Sequence, residues 1–245
     1  MNFLAHHAIA MHSLTPADPL PMYVVGSVLP DLLPLADAHL RPALINHESD
    51  DGLEDAALRR GVRVHLATDA AFHKTAAFAG AQAEVGHILA QTPFEGIRVR
   101  RFFVAHVLVE LALDAVLLRD TPSLADEFYE AFDAADYAHI TRWTEGILGQ
   151  PLPKLPLVLT RFAESRYLRQ YEQDEGVATG LSRLCARARQ DTFEGENYAR
   201  LVAVVKQAVE AVEGRAEALL AETGAALSLT SEPIAVSGQK SRVVK

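Results

Sequence analysis

The chain has 245 residues, 49% hydrophobic and 22% charged, which is enough apolar material for one sizeable core and gives no compositional sign of global disorder. Its formal net charge of −9, with a pI near 5.6, argues against a nucleic-acid binder that works by broad phosphate neutralisation. The single cysteine, Cys185, excludes an intrachain disulfide and a cysteine-built zinc cage, so any metal site must use His, Asp and Glu; the expected compartment is a reducing cytoplasm.

Apolar residues recur at three- and four-residue spacing almost throughout, and Ala, Leu, Glu and Arg dominate. This pattern predicts an all-α, single-domain helical bundle over residues 1–224, followed by a Ser-rich, weakly apolar tail over 225–245 read as disordered. The first predicted helix runs from Asn2 to Ser13 and stops in TPADPLP, where prolines cannot continue it. A short, very apolar helix over MYVVGSVL ends at Pro30-Asp31, where Asp31 either points inward as a ligand or caps the next turn. After INHESDDG, with a turn at Asp50, Asp51 and Gly52, a long helix starts near Leu53 and runs through RRGVRVHLATDAAFHKTAAF. The segment RVRRFFVAHVLVELALDAVLLRD predicts a helix apolar enough for the centre of the bundle. DEFYEAFDAAD, TRFAESRYLRQYEQDEGVATGLSRLCARARQ and ENYARLVAVVKQAVEAVEGRAEALLAET supply the rest, with a Pro-rich loop, QPLPKLPL, before the second of these. No apolar run reaches the roughly 18–20 residues of a membrane span, and MNFLAHHAIA lacks the basic flank and cleavage site of a signal peptide. No membrane insertion and no processing are expected.

Nine of the ten histidines lie between His6 and His106, which places the chemistry in the N-terminal half. Residues four apart on a helix share a face, so His65, Asp69 and His73 form one ridge of potential ligands. His106, Glu110 and Asp114 repeat the spacing on the most apolar helix. Burying an unpaired carboxylate costs several kcal/mol, so these acids require a cation or one another. The candidate metal ligands are His6, Asp31, His65, Asp69, His106 and Glu110; His6 is chosen over His7 because adjacent helical residues point about 100° apart. The competing possibility is a set of buried ion pairs, for instance Glu110 or Asp114 with Arg63 or Arg100. Asp114 is expected to orient a ligand histidine or act as general base, and Arg63 or Arg100 to hold a phosphate. Arg59, Arg60 and Arg63, like Arg98, Arg100 and Arg101, form basic clusters that flank the ligand helices. His12, His39, His47 and His87 are expected at the surface. There is no GxxxxGK[ST] loop, GxSxG elbow or GxGxxG fingerprint, and Cys185 has no nearby histidine.

The opening MNFLAH, together with GSVLPDL, GVRVHLATD, ELALDAVLL and RYLRQYEQDEGVATGLSRLCARAR, resembles in order the bacterial acyl carrier protein phosphodiesterases, whose corresponding segments read GNLLADF, GIxLHRxID, DxxYDHFL and YLxxYxD. That family uses a divalent metal to hydrolyse the phosphopantetheine arm from acyl carrier protein. The resemblance implies metal-site roles for His6, Asp31, His65 and Asp69, with Glu110 and Asp114 where the family has acids. The sequence departs from the family at His73, at Asp114-Ala115 where the family has Asp-His, and at Leu66-Ala67 where it has a basic pair. A broader likeness is to zinc-dependent phospholipase C and related helical phosphoesterases. The expectation is therefore a phosphodiester hydrolase using Mn²⁺, Zn²⁺ or Fe. The alternative is a non-catalytic helical scaffold with a buried His/carboxylate network. Docking an acidic carrier protein would need a local basic face, for which Arg161, Arg166, Arg169, Arg183, Arg187 and Arg189 are candidates.

Overall fold

The computed structural model describes residues 1–14, 20–40, 52–188 and 191–230, and it is all-α throughout them. In chain order the helices are α1 (Phe3–Ser13), α2 (Leu20–Gly26), α3 (Leu29–Ala36), α4 (Leu53–Phe72), α5 (Ala76–Gln91) and α6 (Arg101–Asp120). They continue as α7 (Ser123–Asp133), α8 (Tyr137–Leu148), α9 (Leu155–Ser165), a 3₁₀ turn at Tyr167–Glu172, α10 (Asp174–Arg187), α11 (Gly195–Glu213) and α12 (Ala216–Thr230). Among the described residues no helix is long and apolar enough to cross a membrane.

Helix α6 is the core element expected from its sequence. Val104, Leu108, Val109, every residue from Leu111 to Val116, and Leu118 are buried, because α1, α5, α7, α10, α11 and the 3₁₀ turn all pack on it. Helix α1 touches both α4 and α6, and so bridges the two helices that carry most of the candidate ligands. Helices α2 and α4 cross closely, and the crossing depends on two glycines. A Cβ on Gly26 would stand 2.3 Å from the Leu58 carbonyl oxygen, and one on Gly61 would stand 2.3 Å from that of Tyr23. Only residues without a Cβ let the two backbones meet. That contact sets Ser27, just past the end of α2, beside His65.

Several boundaries differ from expectation, each for a local reason. The long helix from Leu53 does not run through to Phe78: it stops at Phe72, and α5 starts afresh behind Thr75, whose side chain accepts a hydrogen bond from the Phe78 N–H. Helix α5 then continues to Gln91, and α8 was not anticipated at all; its start is capped by the Asp136 side chain, which accepts from the His139 N–H. Pro30 begins a helix instead of ending one, because in the first turn of α3 its missing N–H has no partner to lose. Asp31 lies in that first turn and does not cap it. The helix predicted across TRFAES to RARQ is broken by Arg166, whose left-handed conformation (φ 46°) closes α9 before the 3₁₀ turn. The last predicted helix divides at Gly214-Arg215, and α12 extends to Thr230, into the stretch read as tail. The turn at Asp50-Asp51, His47, Arg189 and the remainder of the tail lie outside the described residues.

Candidate metal centre

Four helices bring the ligand-type side chains together: His6 from α1, Asp31 from α3, His65 and Asp69 from α4 with His73 at its C-terminal end, and His106 and Glu110 from α6. They form two groups, His6/Asp31/His65 and His73/His106/Glu110, and within each the ligand atoms lie within 4.8 Å of one another. Asp69 stands between the groups, its Oδ1 3.9 Å from His6 Nε2 and 3.6 Å from His73 Nδ1.

The ring orientations carry chemical information. His65 Nδ1 donates to the Ser27 carbonyl at 2.9 Å, and His73 Nδ1 donates to the Asp69 carbonyl at 2.9 Å. With Nδ1 acting as donor, a neutral imidazole presents a lone pair at Nε2. Those Nε2 atoms face carboxylate oxygens: Asp31 Oδ1 at 3.7 Å from His65, and Glu110 Oε1 at 3.0 Å from His73. His106 Nε2 approaches the same Glu110 oxygen at 3.1 Å. A lone pair aimed at a carboxylate is repulsive unless a proton or a metal cation lies between them, and a carbonyl holding the far nitrogen is the usual support of a metal-ligating histidine.

His6 makes the case from the opposite direction. It is 1% exposed, stacks on His65 with ring centroids 3.9 Å apart, and neither ring nitrogen makes a hydrogen bond of good geometry. Burial, and the charges of His65 and the Met1 ammonium, push its pKa well below the ordinary value, so its ring is neutral with a lone pair available. His65 is held down to about 4, mainly by burial. The chosen member of the adjacent pair is the one beside the other ligands; His7 faces away, edge-on to Phe128.

One cation is already present. The Met1 ammonium lies 2.8 Å from Asp69 Oδ1 and 3.3 Å from Glu110 Oε1. Burial alone would lower its pKa, but Glu110 and Asp69 reverse that and raise it. Burial likewise opposes ionisation of Glu110, yet the ammonium, with the His106 and His73 rings against it, holds its carboxyl far below the usual range. The counter-ion of Glu110 is thus the Met1 ammonium, with the His73 and His106 rings in contact, and not Arg63 or Arg100.

Two expected catalytic residues are placed elsewhere. Asp114 is fully buried and does not line the cavity. Its Oδ2 accepts from the Leu4 N–H at 3.0 Å and from Asn2 Nδ2 at 2.8 Å, and its Oδ1 accepts from the Ala5 N–H at 2.8 Å. Asn2 at the N-cap makes no capping bond of its own, so Asp114 caps α1 from a different helix and thereby holds His6 in place. Arg63 is exposed and absent from the cavity wall: two residues before His65, it projects from the far side of α4. Arg100, just before α6, is likewise exposed and off the wall.

A cavity of about 460 Å³ opens on the centre. Asp31, Asp69, His73, His106 and Glu110 line it, and so do Tyr167, Tyr171, Arg183 and Arg187 from the 3₁₀ turn and α10. Both tyrosines fall in the segment that resembles YLxxYxD, but neither was given a site role; they reach the site because the 3₁₀ turn and α10 fold back onto α6. His73, the last member of its ridge and not among the six candidate ligands, joins His106 and Glu110 in the second group.

Compared with protein-family models, with curated protein sequences and with solved structures, the chain matches none of the three.

Proposed function

We propose that the protein is a metal-dependent phosphodiester hydrolase of the cytoplasm. Its divalent metal, Mn²⁺, Zn²⁺ or Fe, is held among His6, Asp31, His65, Asp69, His106 and Glu110, joined by His73. The observation that carries this reading is the pair of histidines, His65 and His73, whose Nδ1 atoms are tied to carbonyls while their Nε2 atoms face carboxylate oxygens. The orphaned nitrogens of buried His6 fit the same set. Mixed imidazole and carboxylate donors suit intermediate divalent ions better than Ca²⁺, which favours all-oxygen sites. A divalent ion here supplies a water of lowered pKa and polarises a phosphoryl oxygen. The protein's own part is to present the neutral imidazoles of His6 and His65, keep Glu110 ionised, and leave one side of the cluster open to a cavity. The substrate class is a phosphodiester, with the phosphopantetheine arm of acyl carrier protein as the candidate the sequence resemblance implies.

The experiment is metal analysis of protein purified without added metal, followed by assay on bis-p-nitrophenyl phosphate with Mn²⁺, Zn²⁺ or Fe²⁺. Stoichiometric metal and hydrolysis, both lost in His65→Ala and Asp69→Ala, support the reading. Incubation with holo-acyl carrier protein and a mass measurement then tests for loss of the arm. The second reading, a scaffold with a buried polar network, is favoured by one observation: the Met1 ammonium already pairs with both Asp69 and Glu110. It predicts no stoichiometric metal at any of the ions tested.

A further inference from the structure

We propose that Arg183 and Arg187 form a second, anion-binding subsite within the same cavity, so that the substrate carries a phosphate group besides the phosphodiester that is cleaved. This rests on the hydrolase reading and narrows its substrate class, away from the phosphopantetheine arm, whose single phosphate is the diester itself.

Helix α10 presents Gly180, Arg183, Leu184 and Arg187 to the cavity, spaced by three and four residues along one helix face. The two guanidinium-bearing positions are therefore neighbours on that face. Like Arg63, Arg100 and Arg142, they have no acidic partner among the described residues; what sets them apart is that they stand together on the cavity wall, whereas several other arginines are paired. Arg119 pairs with Asp174, Arg166 with Asp133, Arg169 with Asp126, Arg200 with Glu95 and Arg215 with Glu84. Among the described residues, no carboxylate lies within ion-pair distance of Arg183 or Arg187, although the chain has 32 acidic residues against 23 Lys and Arg. In so acidic a protein, two adjacent arginines left without carboxylates on a cavity wall are placed for an anion that arrives from outside.

The cavity is therefore bipolar. Carboxylates and imidazoles gather around the Met1 ammonium in one part of its wall, and α10 contributes the two guanidinium groups. Tyr167 and Tyr171 line it as well, their rings edge to face at 6.0 Å. Gly180 makes room for this packing: a Cβ there would fall 2.9 Å from the Tyr171 hydroxyl. A phosphate suits the arginine pair better than an apolar group would, since guanidinium forks match its oxygens in geometry and charge. The arginines stand in the wall that also holds the candidate ligands, which favours a second phosphate on the small-molecule substrate over the acidic surface of a docking protein. Of the basic face expected for carrier-protein docking, Arg166 and Arg169 already hold carboxylates of this chain.

The test uses two matched esters, thymidine 5′-(p-nitrophenyl phosphate) and its 3′-phosphorylated counterpart, with the metal-loaded protein. The parent is expected to prefer the 3′-phosphorylated ester, and the double variant Arg183→Gln/Arg187→Gln to lose that preference by roughly tenfold or more in kcat/KM. Both side chains are exposed, so folding of the variant is expected to persist and is checked by its melting temperature. Equilibrium binding of thymidine 3′,5′-bisphosphate, measured by calorimetry, is independent of turnover. Binding lost in the double variant supports the subsite even if the parent hydrolyses neither ester, in which case the hydrolase reading alone fails. An equal preference in parent and variant, or no binding of the bisphosphate by the parent, overturns the proposal.

Discussion

Asp114 shows how much a single buried side chain settles here. Both its oxygens are taken by N–H groups at the start of α1, and burial, against the pull of the Leu4 and Ala5 N–H groups, pushes its carboxyl up to about 7. Replacing it by Ala leaves two buried donors without acceptors, each costing about 1–3 kcal/mol, so we expect Asp114→Ala to lose about 2–6 kcal/mol in a denaturant melt. Asp114→Asn, which keeps one acceptor, should fall between variant and parent. Loss of metal affinity should accompany either change, because His6 rides on the same turn; a melt unchanged by Asp114→Ala would refute the capping role. His7 offers a pH probe that avoids the centre. Burial holds its pKa down to about 4, from an ordinary value near 6.5. An unfolded His7 therefore takes up a proton before the folded one does, and its contribution to stability is intact above about 6.5 and lost as pH falls to about 4. Asp31 and Asp114, with carboxyls raised to about 7, run the other way, so the parent's own curve mixes opposing slopes. The difference between parent and His7→Leu isolates one group. As pH drops from 7 to 4.5, the stability of His7→Leu relative to the parent should rise by about 2 kcal/mol. A constant difference would mean that His7 is not buried neutral.

At the scale of elements, what was legible in the sequence was what periodicity encodes. The apolar stripe of α6 named the central helix, and four-residue spacing named the ridges on α4 and α6. Less legible was where helices stop, because α4 and α5 share a continuous apolar rhythm across His73. The break is made by Thr75, which looks like a helix interior residue until its side chain is seen accepting the Phe78 N–H. We expect Thr75→Ala to cost about 1 kcal/mol, as for other lost N-caps. Partners from distant segments left no local trace at all: nothing near Asp114 points to the start of α1, and nothing near Arg183 points to Glu110. The glycines of the α2–α4 crossing belong to the same class. Gly61 reads as a weak point inside a helix, yet a Cβ there would press on the Tyr23 carbonyl at 2.3 Å and the Ser27 N–H at 2.7 Å, both backbone. Gly61→Ala is expected to cost about 2–3 kcal/mol as an overpacked contact, and to shift the Ser27 carbonyl that orients His65. A variant with parental melting and parental metal content would show that the crossing has slack.

At the scale of the whole molecule, charge and cavity bear on one question, namely which cation occupies the centre. Asp69 and Glu110 share one ammonium there, with His6 held neutral and the Asp31 carboxyl beside them raised to about 7, so the negative charge is only partly offset. A divalent ion at the same place would complete the offset and compete with Met1 for Asp69 and Glu110. Whatever binds the folded chain and not the unfolded one stabilises it by mass action, by about 2.7 kcal/mol when free metal is a hundredfold above its Kd. For a chain of this length, each kcal/mol moves the melting temperature by about 2–4 °C. Stripping with a chelator and reloading with Zn²⁺ or Mn²⁺ should therefore raise melting by about 5–10 °C, and the rise should vanish in His65→Ala, which removes a donor whose orientation the Ser27 carbonyl maintains. It should persist in Arg183→Gln/Arg187→Gln, whose side chains are outside both ligand groups. A melting temperature indifferent to chelator and metal would leave the Met1 ammonium as the centre's resident cation, and the fold would then be a scaffold whose histidines serve packing.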